Sequence, residues 1–185
     1  MVPASWLSQK RFDTCSRRIL ELRRKFLIAI KKLYRAGNDL QPKKKSQGTL
    51  QLRFGVIEQV IQLDAKPHDV FDALLDPVKH SDFTGSSATT SRRTGARFTA
   101  WDSYISGKNI RFVKDKKIVQ EWKTTEWPKG YPPSKLEFTL TAKNGRTELK
   151  MVHSKVPAEQ VEHYRRGWYD SYWNPLKKYL ERARL

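Results

Sequence analysis

At 185 residues, with 38% hydrophobic and 30% charged residues, the chain has room for one well-cored domain plus a polar appendage. Its formal net charge of +18 points to acidic partners or surfaces without specifying a fold. No apolar run approaches the ~20 residues that cross a bilayer, and the single cysteine, Cys15, excludes an internal disulfide or a multi-cysteine metal site.

The first 55 residues carry 14 Lys/Arg against 3 Asp/Glu, so most of the excess charge sits in less than a third of the chain. Within them Ile19, Leu22, Phe26, Ile30, Leu33 and Tyr34 recur at helical spacing, and basic pairs at 17–18, 24–25 and 31–32 repeat every seven residues. At 3.6 residues per turn this predicts an amphipathic helix with one cationic flank. Gly37-Asn38-Asp39 ends the pattern, and 42–48 (PKKKSQG) reads as a solvated linker. The domain division expected is therefore a basic extension and linker over 1–48 and a folded domain over 49–185. The extension suits an organelle presequence, a helix on an anionic membrane, or a nucleic-acid tether, and equally an extra helix packed on the domain. The short apolar run at 26–30 has cations on both sides and no small-residue cleavage pattern, so no secretory signal is expected. A cytoplasmic location follows, or a mitochondrial one if residues 1–40 serve as a presequence. Cys15 reads as an ordinary thiol.

From Val56 the pattern alternates. Residues 56–64 place Ile57, Ile61 and Leu63 on one face of a strand and Glu58 and Gln62 on the other. Residues 65–80 predict a short helix with Pro67 at its start and Val70, Phe71, Leu74 and Leu75 as its stripe; Asp76-Pro77 ends it, and a short turn carries the chain to Gly85. Strands follow at 87–91 (weakly), 97–101, 104–112, 117–125, 135–142 and 147–154, with Asn144-Gly145 as a hairpin dipeptide. A long helix runs from Ala158, with Val161, Tyr164, Trp168, Tyr172, Leu176 and Leu180 on one stripe and a kink expected near Asn174 because Pro175 removes a backbone donor. A curved antiparallel sheet and one long amphipathic helix must bury their apolar faces against each other, which is an α+β helix-grip architecture.

The stretches "IVQEWKTTEWPKG", "FTGSSAT", "GARFTAWDSYISGKNI" and "GWYDSYWNPLKKYLE" resemble the START-like domains related to the C-terminal domain of the ninety-kilodalton heat-shock protein ATPase activator. The resemblance covers residues 56–181, with Trp-x4-Trp-Pro-x-Gly and Gly-Trp-x3-Tyr as its most specific parts. It implies a START-like (SRPBCC) domain that acts by binding protein, with a heat-shock chaperone as its partner. The family's eukaryotic co-chaperone has a further N-terminal domain with an Asn/Trp/His-rich leader, for which residues 1–55 are too short.

No enzyme constellation stands out. His68, His80, His153 and His163 lack metal-ligand spacing, His80-x-Asp82 being a two-ligand pattern at best, and no phosphate loop or nucleophile elbow appears. Asp64, Asp69, Asp72 and Asp76 suit capping and surface. No catalytic residue, metal or cofactor is therefore expected, and a hydrogen-bonded core histidine is the ordinary reading of His153. The aromatic residues are the open question. Phe98, Trp101, Tyr104, Gln120, Trp122, His153, Trp168 and Tyr172 are either core or the lining of a cavity for a small lipophilic ligand between sheet and helix. Trp127, held extended by Pro128 ahead of a proline-rich turn, belongs at a rim as a lid, a partner contact or a staple for its loop. Two functions follow: binding of a chaperone or other acidic protein, or carriage of a lipophilic ligand.

Overall fold

The computed structural model describes residues 51–183; the basic extension and Cys15 lie outside them. β1 (Phe54–Leu63) leads to helices α1 (Pro67–Leu75) and α2 (Pro77–Thr84). Strands β2 (Arg97–Ala100), β3 (Ile105–Val113), β4 (Lys117–Thr124), β5 (Ser134–Lys143) and β6 (Arg146–Pro157) follow. A 3₁₀ turn (Ala158–Gln160) then opens the terminal helix, built from α3 (Val161–Trp168), a π-helical turn (Tyr169–Trp173) and α4 (Asn174–Arg182).

All neighbours in the six-stranded sheet are antiparallel, in the order β1-β6-β5-β4-β3-β2. β1 and β2 are consecutive in the chain yet lie at opposite edges, so the connection carrying α1 and α2 has to cross from one edge to the other. Parity sorts the side chains as expected. Ile57, Ile61 and Leu63 of β1, Leu149 and Met151 of β6, Leu136, Phe138 and Leu140 of β5, and Ile118 and Trp122 of β4 are all buried. The outer face is a ladder of charges, with Lys117 and Lys135 on Glu137, Lys143 on Glu148 and Lys150 on Glu58. Asn144 (φ 49) and Gly145 (φ 76) form the two-residue turn that joins β5 to β6, both left-handed as a type I′ hairpin requires.

Four local expectations need correction. Asp76-Pro77 ends one helix and starts another. The Asp76 carboxylate accepts the Val78 and Lys79 amides at 2.9 and 3.0 Å, and Pro77 fills a first-turn position where no donor is needed. The 77–84 stretch is thus an eight-residue helix, closed by Gly85 at φ 69. Residues 87–91 do not form a strand; a single bridge, Thr89 to Thr99, joins them to β2. Side-chain bonds take up the backbone there, with Asp102 accepting from Ser87 at 3.0 Å and Ser81 from the Ala88 amide at 3.0 Å. Trp101 leaves β2 for a left-handed turn shared with Asp102 and Ser103 (φ 57, 53 and 67).

The fourth concerns the terminal helix. Its expected irregularity takes the form of the π turn, in which the Asn174 amide reaches back five residues to the Tyr169 carbonyl just ahead of Pro175. The extra residue advances the helical phase. Tyr172 and Trp173 are therefore both buried. Val161, expected on the stripe, lies ahead of that turn and is half-exposed.

Candidate functional site

Beneath the terminal helix the aromatics form one continuous cluster. The Trp122 ring centre lies 4.8 Å from His153, 5.1 Å from Tyr164 and 6.1 Å from Trp168. Trp168 stacks on Trp173 at 5.3 Å. Polar groups inside this cluster are paired across it. Trp168 Nε1–H donates to His153 Nδ1 at 3.2 Å, His153 Nε2 lies 2.7 Å from Ser134 Oγ, and Ser134 Oγ donates to the Trp122 carbonyl at 2.7 Å. A serine hydroxyl has one proton, and this one is spent on the carbonyl, so His153 Nε2 must carry the proton it shares with Ser134. Nδ1 is then a bare acceptor facing an indole N–H, and burial pushes the His153 pKa down to about 3. His153 is consequently a fixed neutral residue with no free lone pair for base chemistry.

His80 follows the same logic in the other tautomer. Its Nδ1–H donates to the Leu74 carbonyl at 3.1 Å and its Nε2 accepts the Tyr172 hydroxyl at 2.8 Å. Burial holds the His80 pKa down and the Tyr172 pKa up. On the inward face of β1, Gln59 accepts Trp173 Nε1–H at 2.6 Å and donates to the Arg165 carbonyl at 2.9 Å. On β3 the buried Asn109 accepts from Gln120 at 2.8 Å and donates to the Ser91 carbonyl at 2.7 Å. Gln59, His80 and Asn109 escaped the sequence reading as interior groups. Parity offered a signal for Gln59, which lies between Ile57 and Ile61.

Of the eight cavity candidates, Phe98, Gln120, Trp122, Trp168 and Tyr172 surround one space, with Leu74 and His80. Its volume is about 20 Å³, room for about one water and far below the ~300–1,000 Å³ of sites that hold small ligands. Thr90 also lines this space, and its buried hydroxyl has no hydrogen-bond partner among the described residues. Trp101, Tyr104 and His153 lie elsewhere. Trp101 is buried at the β2–β3 turn, and Tyr104 donates to Glu126 at 2.9 Å near the rim, where burial, then Tyr164 and Glu126, raise its pKa. Among the described residues no three His, Cys, Asp or Glu side chains converge in a way that would hold a metal.

Trp127 lies at the rim, in the connection between β4 and β5. It stacks on Tyr164 at 6.0 Å, meets Trp122 edge-on at 5.9 Å, and donates Nε1–H to the Pro132 carbonyl at 2.9 Å. The loop is further tied by the Tyr131 amide to Pro128 O at 3.2 Å and by the Phe54 ring, edge-on to Tyr131 at 5.4 Å. Half-buried, Trp127 also forms a wall of an open groove of about 480 Å³ on the molecular surface. Pro128, Tyr131 and Pro133 continue the wall, and Lys123 and Lys129 flank it.

Comparison with known proteins agrees with this architecture. Residues 64–181 match the family described as "Activator of Hsp90 ATPase homolog 1-like protein". A human relative, "Activator of 90 kDa heat shock protein ATPase homolog 1", is 34% identical over 96 residues, which are 52% of this chain and 28% of the relative. The matched segment thus spans well under a third of that relative's length. Among solved structures, an HSP90 activator from Plasmodium falciparum aligns with a TM-score of 0.58 at 22% identity, covering 64% of this chain and 90% of the other. A Mesorhizobium loti protein aligns over 72% of this chain and 100% of its own, with a TM-score of 0.60 at 21% identity. At those identities the two structures establish the helix-grip, START-like fold.

Proposed function

The chain belongs to the family of Activator of Hsp90 ATPase homolog 1-like proteins, and from that premise we propose that its domain is a non-enzymatic protein-binding module that raises the ATP turnover of a ninety-kilodalton heat-shock chaperone. The observation that carries this reading is the family match over 64–181, which takes in the helices and strands β2 to β6 of the helix-grip unit and leaves β1 outside it. The interior is consistent with it. The histidines under the helix, His80 and His153, have both ring nitrogens engaged by protein partners, which supports binding as the way this domain acts. The mechanism would be a difference in affinity: a domain that binds one conformation of the chaperone more tightly than another shifts the population toward it. A net-basic domain speeds encounter with an acidic surface. Carriage of a lipophilic ligand beneath the helix is less favoured, because the space there among the described residues is about 20 Å³.

The experiment is a steady-state ATPase assay of a purified chaperone of this class, titrated with the full chain, with binding followed in parallel. Stimulated turnover with saturable binding is expected. Unchanged turnover together with no binding at micromolar concentration would reject the reading.

A further inference from the structure

We propose that the groove beside Trp127 docks an extended acidic segment of a partner protein, its carboxylates on Lys123 and Lys129 and its apolar side chains against Trp127, Pro128 and Tyr131. The proposal rests on the protein-binding reading above and names the chemistry of what docks.

Three observations carry it. First, the groove exists without its occupant. Trp127 is fixed from behind by Tyr164 and Trp122 and along its edge by Pro132, and Pro128 and Pro133 bracket the turn that Tyr131 closes. A preformed wall spares the ordering cost that weakens most loop-based recognition. Second, its charge is one-sided and unspent. Lys123 and Lys129 are exposed and take part in no ion pair among the described residues, and no carboxylate lines the groove. This sets them apart from Lys117, Lys135, Lys143 and Lys150 on the same sheet, each paired with a glutamate. The acids close in sequence are engaged or flanked elsewhere. Glu126 accepts the Tyr104 hydroxyl, and Glu121 stands in register between Lys108 and Lys135. Third, although Ser106, Thr124 and Thr125 also line the groove, the wall made by Trp127, Pro128, Tyr131 and Pro133 is apolar, with Trp127 already committed to Tyr164 and Trp122. Two separated cations over such a wall match alternating carboxylates and apolar side chains. A nucleic acid would want a longer run of cations and free ring faces for stacking.

The test uses the full chain and two fluorescein-labelled octapeptides with the same apolar residues, one carrying Glu and Asp, the other Gln and Asn. Anisotropy titrations compare the natural protein with Lys123→Glu/Lys129→Glu and with Lys177→Glu/Lys178→Glu on α4, which makes the same change in net charge away from the groove. The acidic peptide should bind, the amide peptide should bind far more weakly, and the groove pair should lose about tenfold or more in affinity while the α4 pair changes less than about twofold. Equal losses from both pairs, or equal binding of both peptides, would overturn the proposal. So would tight binding of a single-stranded RNA octamer, lost in the groove pair, with no acidic-peptide binding. The same variants in the chaperone assay separate the two ideas. If the natural protein leaves the chaperone unaffected while the groove pair still loses the acidic peptide, the chaperone reading fails alone. If the groove pair stimulates the chaperone as the natural protein does and keeps its peptide affinity, the groove fails alone.

Discussion

His153→Gln tests the central feature of the interior, a histidine that burial keeps neutral well below the ordinary imidazole range. In the folded protein its pKa lies at about 3, because burial penalises the charged form and Nδ1 already accepts from the Trp168 indole. In the unfolded chain it returns to the ordinary value of about 6.5. The unfolded state therefore binds more protons as pH falls below about 6.5, and the stability His153 contributes is complete above that pH and drains away toward about pH 3. At 1.36 kcal/mol per unit, going from about pH 8 to about pH 5 removes about 2 kcal/mol through this residue alone. Glutamine keeps an acceptor for Trp168 and a donor for Ser134 but cannot titrate. Urea unfolding at several pH values, followed by far-ultraviolet circular dichroism, measures both proteins. His80 is depressed in the same direction, but it is present in both and cancels in the difference. The variant should start about 1–2 kcal/mol less stable at pH 8 through imperfect packing, yet lose about 2 kcal/mol less on acidification. Parallel pH profiles would show that the folded protein tolerates a charge at this position, and the neutral-relay account would be wrong.

Other expectations follow from single contacts. Gln59→Leu strands both the Trp173 indole N–H and the Arg165 carbonyl, so a loss of about 2–4 kcal/mol is expected in urea unfolding; a loss under about 1 kcal/mol would mean those bonds do not form. A methyl group at Gly107 would overlap the Glu121 carbonyl oxygen and the Phe98 ring, so Gly107→Ala should cost about 3 kcal/mol or more, read as a fall in thermal midpoint. Dodecanoic acid should give no saturable quenching of tryptophan fluorescence, since the space under the helix is about 20 Å³; saturable quenching would revive the carrier function. Trp168→Ala should cost about 3–5 kcal/mol, and added indole should raise the variant's thermal midpoint by filling the hole.

Much of this fold is legible because strands buried on one face advertise themselves by alternation. Ile57, Ile61 and Leu63, then Leu136, Phe138 and Leu140, show it, and Asn144-Gly145 marks the one turn whose geometry demands those residues. Legibility fails where one residue type supports two opposite readings. Pro77 reads as a stop, but after Asp76 it is an opening, because a proline in the first turn forfeits no hydrogen bond. Trp173 is lost to a strict 3.6-residue stripe because the π turn shifts the phase by one position. Gln59, Asn109 and His80 are lost for a different reason: hydropathy alone places them outside, and their bonds to Trp173, Ser91 and Tyr172 are what offset the cost of burying them. Gln120 was recognisable through its parity with Trp122. The rim is harder still. That Trp127 is a staple and a groove wall at once depends on Tyr164, which lies 37 residues away in sequence.

The arrangement of these bonds also bears on where recognition takes place. The terminal helix is stitched to the rest of the domain by Trp173 to Gln59, Trp168 to His153, Tyr164 to Thr124 and Tyr172 to His80. Lifting it to admit a ligand would break all four at about 0.5–1.5 kcal/mol net apiece, before any cost of exposing Trp168 and Trp173. At about 4 kcal/mol for the stitches alone, the open form would be about one molecule in a thousand, and a ligand would have to spend that free energy before gaining any affinity. The groove beside Trp127 demands no such opening, since its wall is held by the same Trp122 and Tyr164 that close the interior. A packed core and a firm rim are therefore one construction: the packing of Trp122 and Tyr164 that closes the interior is also what holds Trp127 in place beside the groove.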